Sequence, residues 1–350
     1  MKANTNSKKI DTKYIAYFAV GIILLIAVIV TGKSGLSQTD KDIYAKALEL
    51  DESLNGVGFN NFVLSDYKVR FFDGNIDYVV NGNNIEKEKA AYETFVGTTV
   101  DIDGEYQVLL PVYDRFSQMF DMLSTAGNLA EGNFSFGESD YSTNAHIATL
   151  WHESFHTWQF TNYESEILAQ ATSAGITESV NYADVILNEV DNNDELKAMF
   201  IQEMSLLQTL IKSDDIHSES AMLNEILTLE SKRSTMMSSQ ATFIEKYYQT
   251  IEGSAKYVES NVFKALEGND KWVATYLKPF EYTNGSGKYY DMGMLKCMIL
   301  DQLSLDWKAS FDPTVSLNEL LRQAVANTLA ECGTKEDGSL CGAASFSTRR

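Results

Sequence analysis

The sequence predicts an α+β fold that is mostly α-helical, and three observations support this class. Only 3 of the 350 residues are proline, which suits long helices because proline breaks helix interiors. Residues 59–82 and 105–114 alternate aromatic and β-branched residues with polar ones, a pattern typical of strands. From Ser142 onward, apolar residues recur at helical spacing in almost every segment. We therefore expect a small N-terminal β-containing part followed by a large helical part.

The first element is an apolar segment, residues 14–32, which contains 19 residues without a charge. At about 1.5 Å per residue, this length nearly matches the roughly 30 Å hydrocarbon layer of a membrane. Lysines are concentrated in residues 1–13, so the positive-inside bias places this tail in the cytoplasm and the rest outside the cell. The run is longer than a usual signal-peptide core and lacks a clear Ala-x-Ala site. We expect a single-pass anchor in the cell membrane, with a cleaved signal peptide as the alternative.

The next elements form the β-containing part of the chain. Residues 33–54 are expected to be a linker and a short helix, and residues 55–140 an α+β region. Asp73-Gly74 interrupts the alternating stretch, which predicts two or three strands with a hairpin. The remaining patterns predict a helix at 84–97, a strand at 105–114 and a helix at 115–127.

Residues 141–331 are expected to form the helical part. Its first long helix begins near Ser142, Thr143 or Asn144, each of which is a suitable N-cap. The polar tail, residues 332–350, begins with Cys332 and also contains Cys341, and these two cysteines could form a disulfide outside the cell.

The charge of the chain bears on its partners. There are 49 acidic and 28 basic residues, which gives a net charge of −21. A surface of this sign disfavours nucleic acid and anionic lipid, so we expect no nucleic-acid partner. We expect contact with a membrane only through residues 14–32.

A histidine motif lies in the first long helix. The segment "LWHESFHTWQF" contains His152, Glu153 and His156. Positions four apart lie on one face of a helix, so the two histidines can bind one zinc ion through their ring nitrogens. Glu153 is about 100° around the helix from His152, where it can reach a metal-bound water without binding the metal. This is the geometry of the His-Glu-x-x-His motif, in which the glutamate is the general base.

A catalytic zinc ion usually has three protein ligands, so a third ligand is required. No further histidine follows at short spacing, and we therefore expect a carboxylate. Spacing alone leaves several glutamates open. The candidates are Glu164 and Glu166 close to the motif, Glu178 at 22 positions after His156, and Glu252 at 96 positions after it.

Two further segments carry a resemblance to a known family. "IEGSAKYVE" resembles the Glu-Gly-x-Ala-x-Tyr-x-Glu helix of the gluzincin metallopeptidases with an aminopeptidase-N-like catalytic domain. "YYDMGMLKCMILDQL" resembles the Tyr-x-x-Gly helix start of the same family. The resemblance implies a zincin-like fold, Zn²⁺ as cofactor, Glu252 as third ligand and Tyr290 as the oxyanion-stabilising hydroxyl. Tyr289 is the neighbouring alternative, and Glu259 could orient a ligand histidine.

The chain also departs from that family. A helical insert, residues 164–248, separates the two histidines from Glu252, and the family's Gly-x-Met-Glu-Asn segment has no match upstream. We therefore expect a zinc metallopeptidase acting on a peptide or protein, without a predicted aminopeptidase specificity. We hypothesise that the insert covers the cleft. The alternatives are a non-peptidase zinc hydrolase and a surface interaction protein with a non-catalytic metal site.

Overall fold

The computed structural model describes residues 35–126, 141–213, 215–304 and 306–333. The expected anchor at residues 14–32 and Cys341 of the expected disulfide lie outside these ranges. None of the helices within the four ranges is long and apolar enough to cross a membrane. From Gln38 onward, the described residues belong to one compact unit, so the two parts predicted from the sequence fold together.

The β-containing part forms a five-stranded mixed sheet. The strands are β1 (Val69–Phe72), β2 (Ile76–Asn81), β3 (Asn84–Lys89), β4 (Thr98–Ile102) and β5 (Glu105–Pro111). Their order across the sheet is β3-β2-β1-β5-β4, where β1 and β5 are parallel and the other pairs antiparallel. Every residue of β1 is buried, which fits its place at the centre of the sheet.

The prediction of a helix at 84–97 was wrong, because this stretch forms β3 and a loop. Gly82 and Asn83 form a tight reversal between the paired residues Asn81 and Asn84, with Gly82 at φ +56°, and the following residues then pair with β2. Pairing between strands thus overrides the helical propensity of the Glu- and Lys-rich sequence. All six residues of β3 are exposed, and their charges protect this edge from pairing with other chains. The strand β4 was not predicted.

Helices make up most of the described chain. Their bounds are α1 (Gln38–Leu54), α2 (Tyr113–Ala126), α3 (Thr143–Ser173), α4 (Tyr182–Val185), α5 (Asp194–Ile211), α6 (Ser220–Met236), α7 (Ser239–Tyr247), α8 (Gly253–Glu267), α9 (Asn269–Tyr276), α10 (Gly287–Leu303) and α11 (Leu317–Gly333). Two wide π-helical turns, Ile186–Asp191 and Tyr248–Glu252, and short 3₁₀ turns join some of them. The predicted mostly helical α+β class is confirmed.

Helix α3 is the central element, between the sheet and α8. Ser142 caps it by accepting a hydrogen bond from the Ala145 N–H at 3.2 Å. A stripe of large side chains, including Trp151 and Phe155, is fully buried. Phe155 packs with its ring centroid 4.7 Å from that of Phe59 and 5.1 Å from that of Phe62. This packing fixes the rotation of α3 about its axis, and with it the direction in which the neighbouring histidine stripe points.

The insert packs against α10 and α11 through α5 and α6. A buried ionic network joins the two parts. Arg233 on α6 forms ion pairs with Glu203 on α5 and Glu245 on α7. Glu203 also pairs with Lys296 on α10 at 2.8 Å, and the Lys296 ammonium donates to Gln249 at 2.8 Å. The network thus reaches the π-helical turn that begins at Tyr248.

Candidate metal centre

Helix α3 brings the two motif histidines together on one face. The Nε2 atoms of His152 and His156 lie 3.0 Å apart, and the ring centroids are 4.7 Å apart. His156 is 6% exposed, so the pair faces a largely enclosed site. Residues 152 and 156 are one turn apart in α3, which is the local reason for their convergence.

Glu252 supplies a carboxylate to the same point. Its Oε2 atom lies 3.2 Å from His156 Nε2 and 3.7 Å from His152 Nε2. Glu252 is the last residue of the π-helical turn Tyr248–Glu252, a wide turn of the kind often found at functional sites. The other candidate carboxylates, Glu164, Glu166 and Glu178, are all exposed on the surface.

The three atoms fit a tetrahedral metal ion. Ligand atoms about 2.0–2.1 Å from zinc are separated from one another by roughly 3.3 Å when the angle at the metal is tetrahedral. The observed separations of 3.0, 3.2 and 3.7 Å lie around this value. Two imidazoles and one carboxylate are also a donor set typical of catalytic zinc. Among the described residues, His152, His156 and Glu252 form the group that could hold a metal ion.

The other ring nitrogen of each histidine lies close to a side-chain oxygen. His152 Nδ1 lies 2.8 Å from Glu259 Oε2, and His156 Nδ1 lies 2.8 Å from Gln159 Oε1. The Gln159 side chain is fixed in turn, because its Nε2 donates to the Ser254 hydroxyl at 2.9 Å. Since Gln159 Oε1 can only accept, it requires the proton on Nδ1 and leaves the lone pair of His156 on Nε2, facing the other ligands.

The charged side chains of this centre shift the pKa values of His152 and Glu252 in opposite directions. Burial lowers the pKa of His152, but contacts with Glu252 and Glu259 outweigh it and raise the pKa to about 10. Burial acts to raise the pKa of Glu252, but His156 and His152 outweigh it and hold the pKa well below its usual range. The contacts with Glu252 and Glu259 thus favour the protonated form of His152.

Glu153 lies beside the three candidate ligand residues, in contact with the sheet. A Cβ atom at Gly97 would be 2.8 Å from Glu153 Cγ and 2.9 Å from Oε1, so glycine is required there to leave room for the carboxylate. The Thr99 hydroxyl donates to the Glu153 carbonyl at 2.9 Å and fixes β4 against α3. Burial raises the pKa of the Glu153 carboxyl, partly offset by the two histidines.

Tyr290 lines the same cleft, whereas its neighbour Tyr289 does not. Tyr289 is fully buried, and its ring centroid lies 5.5 Å from that of Phe200 on α5. Burial, together with the charge of Glu252, raises the pKa of Tyr290 far above its ordinary value. The Tyr290 hydroxyl therefore stays protonated at neutral pH and can donate a hydrogen bond.

Two glycines bring the helices of Glu252 and Tyr290 into backbone contact. A Cβ atom at Gly253 would be 2.5 Å from the Gly293 Cα, and one at Gly293 would be 1.9 Å from the Gln249 carbonyl oxygen. Both positions therefore require glycine. This gives a physical reason for the glycine in each of the two segments that carry the family resemblance.

The centre opens into a cleft of about 460 Å³. One side is the start of β4 and the other is formed by α8 and α10, with α3 between them. Its lining in the described chain is Val96, Gly97, Thr98, Thr99, Phe116, Tyr141, Thr149, His152, Glu153, His156, Phe160, Tyr247, Glu252, Lys256, Glu259 and Tyr290. Of the insert, residues 164–248, the described chain contributes Tyr247 to this lining. The covering of the cleft by the insert stays a hypothesis.

Several residues of the site were not found from the sequence. Gln159 is three positions after His156, and helical spacing could have indicated it. Lys256 is four positions after Glu252 and could have been placed on the cleft face in the same way. Gly97 directly precedes β4 and Thr99 belongs to it, and the position of β4 beside α3 has no local signal in the sequence.

The comparisons with known proteins found no match. No family model matches the chain, and neither a curated protein nor a solved structure matches it. The resemblance to gluzincin metallopeptidases therefore rests on the three sequence segments.

Proposed function

We propose that this protein is a zinc-dependent metallopeptidase of the gluzincin type, with a zincin-like catalytic domain. The observation that supports this best is the convergence of His152, His156 and Glu252, with atoms 3.0–3.7 Å apart, beside the buried Glu153. These three side chains would hold Zn²⁺. A bound zinc ion lowers the pKa of a coordinated water from about 15.7 to about 7 and polarises a carbonyl oxygen.

The side chains around the ligands have the properties that peptide hydrolysis requires. Glu153 is the general base, because it is buried beside the ligands and burial raises its pKa, which favours proton acceptance. It then returns the proton to the leaving amine. The Tyr290 hydroxyl, protonated at neutral pH, donates to the oxygen that becomes negatively charged. Glu259 and Gln159 hold the two histidine rings in place.

The position of the edge strand β4 beside the cleft favours a peptide as the substrate. Strand β4 is an edge strand in the described part of the chain, and its first residues line the cleft. It lacks the run of exposed Glu and Lys residues that protects the opposite edge at β3. An extended peptide can add to such an edge through main-chain hydrogen bonds, which places a peptide bond along the cleft.

Metal content and two glutamate substitutions test the proposed function. We expect about one zinc ion per purified chain by elemental analysis, and hydrolysis of a peptide library by the zinc-loaded protein. Glu252→Gln should lose zinc, whereas Glu153→Gln should keep zinc and lose hydrolysis. Glu178→Gln is the matched control, because this exposed glutamate was the alternative ligand, and it should change neither property. Zinc retention by Glu252→Gln, or full activity of Glu153→Gln, would contradict the proposal.

We also propose that residues 14–32 anchor the protein in the cell membrane with the catalytic domain outside. The support is the uncharged apolar run and the lysines that precede it. Protease added to intact cells should then remove the domain from the surface, while the protein fractionates with membranes. Recovery of the full chain in a soluble intracellular fraction would contradict this location.

A further inference from the structure

We propose that the cleft recognises the free C-terminal carboxylate of a peptide through the ammonium group of Lys256. The protein would then remove one or two residues from the C-terminus of its substrate. This inference rests on the proposed peptidase function and specifies its substrate class.

The proposed reaction is hydrolysis of a peptide bond near the C-terminus. Water adds to the scissile carbonyl, the C–N bond breaks and the leaving amine takes a proton. The products are a shortened peptide with a new carboxylate and a free amino acid or dipeptide.

Lys256 is the single lysine or arginine among the described residues that line the cleft. It is 8% exposed, and its Nζ donates to Asp291 Oδ1 at 2.6 Å. An ammonium group has three N–H donors, and this is its one protein partner within the described ranges. The side chain therefore keeps hydrogen-bonding capacity for an anionic group that enters the cleft.

The acidic side chains of the cleft are already engaged. Those that line the described cleft are Glu153, Glu252 and Glu259. Glu252 contacts both motif histidines, Glu259 contacts His152, and Glu153 is the proposed base. No carboxylate of this lining remains to bind the free α-amine of a substrate, so recognition of the N-terminus is disfavoured.

The direction of β4 places the C-terminal side of a bound peptide near the start of α3. Gly97, just before β4, contacts Glu153, and the Thr99 hydroxyl lies 3.0 Å from that of Thr157. Strand β4 therefore runs in the same direction as α3. A peptide paired antiparallel to β4 runs the opposite way, from the Phe160 end of the cleft towards Thr149.

Helix α8 places Lys256 towards that same end. Glu252 of the π-helical turn contacts His156, and Glu267 near the end of α8 accepts a hydrogen bond from Asn144 at 2.8 Å. Helix α8 thus runs antiparallel to α3. Lys256 lies four residues beyond Glu252, a rise of about 6 Å along the helix. An extended peptide advances about 3.3 Å per residue, so this distance corresponds to one or two residues after the scissile bond.

Binding of matched peptides tests the inference without hydrolysis. The probes are two N-acetylated peptides of identical sequence, one with a free C-terminal carboxylate and one with a C-terminal amide. With zinc-loaded Glu153→Gln protein, we expect the acid to bind at least about tenfold more tightly than the amide, as for a hydrogen bond between charged groups. Adding Lys256→Met should abolish this difference, and Lys256→Arg should retain most of it. Equal binding of acid and amide, or no binding of either, would overturn the inference.

The variant Asp291→Asn tests whether Lys256 binds the substrate carboxylate or only forms a structural ion pair with Asp291. This variant keeps the ammonium group and removes its partner, so it should still prefer the acid. If Asp291→Asn and Lys256→Met both weaken acid and amide binding equally, Lys256 is a structural residue and the inference is wrong. Unfolding midpoints show that each variant is folded.

Hydrolysis by the wild-type, zinc-loaded protein separates this inference from the proposed function. Mass spectrometry of the acid peptide should show loss of one or two C-terminal residues, with little cleavage of the amide. Equal cleavage of both peptides at internal bonds would leave the peptidase function standing and refute C-terminal recognition. Cleavage of neither peptide, nor of a peptide library, would refute the peptidase function, while the binding comparison still decides the role of Lys256.

Discussion

The protonation of His152 gives a quantitative prediction for the metal-free protein. Its ring lies between Glu259, 2.8 Å from Nδ1, and Glu252, 3.7 Å from Nε2. These contacts outweigh the effect of burial and raise its pKa to about 10. Glu259→Gln removes one of the two carboxylates and should lower the pKa towards the ordinary value of about 6.5.

This shift sets the pH dependence of metal binding. At pH 8, a pKa of about 10 means that the metal must displace a proton from His152. One pKa unit corresponds to about 1.4 kcal/mol, so the competition costs about 3 kcal/mol, or about a hundredfold in apparent affinity. The apparent zinc affinity should therefore rise as the pH increases towards 10.

The same shift makes the stability of the metal-free fold depend on pH. Because the folded-state pKa of His152 is raised, its ion pairs stabilise the metal-free fold fully below about pH 6.5, and this stability is lost as the pH rises through about 10.

Nuclear magnetic resonance can measure the titration directly. The ring signals of His152 in metal-free protein should titrate with a midpoint near pH 10, and Glu259→Gln should lower that midpoint. Glu267→Gln is a matched control on the same helix, because Glu267 bonds to Asn144 and Lys271 rather than to His152. A wild-type midpoint near 6.5, or one that Glu259→Gln leaves unchanged, would refute this reasoning.

Three further substitutions test other parts of the structure. Tyr290→Phe should lower kcat/KM by roughly 10²–10³ with unchanged zinc content, as measured by steady-state kinetics and elemental analysis; an unchanged kcat/KM would exclude the proposed role. Gly293→Ala should lower the free energy of unfolding by about 1–3 kcal/mol in urea, because its Cβ would be 1.9 Å from the Gln249 carbonyl oxygen. Arg233→Met leaves Glu203 buried without its arginine and should cost about 3–5 kcal/mol in the same assay; a loss below about 1 kcal/mol would contradict the buried network.

Some parts of the site could be predicted because local geometry determines them. The spacing of His152 and His156 within one helix brings their rings together whatever the rest of the fold does. Tertiary contacts determine which carboxylate reaches the two histidines, and spacing alone left Glu178 and Glu252 both open. The family resemblance favoured Glu252, whose carboxylate the structure places 3.2 Å from His156 Nε2.

Other parts have no local signal in the sequence. Residues 84–89 have a helical composition, and only pairing with β2 makes them a strand. The ion pair between Lys256 on α8 and Asp291 on α10 joins residues 35 positions apart in the sequence, so neither residue alone indicates the other. The position of the insert likewise depends on long-range ion pairs, such as that of Glu203 with Lys296, which have no local signal in the sequence.

The buried ionic network has a consequence for how the chain can be shortened. A version lacking residues 164–248 would lose Glu203, the carboxylate that pairs with Lys296, and would uncover the face of α10 on which the insert packs. Lys296 would keep its hydrogen bonds to Gln249 and Asn318 but lose its ion pair, and the turn that presents Glu252 would lose the support of the network. Excision of the insert should therefore strongly destabilise the remaining fold, and the two regions behave as a single folding unit.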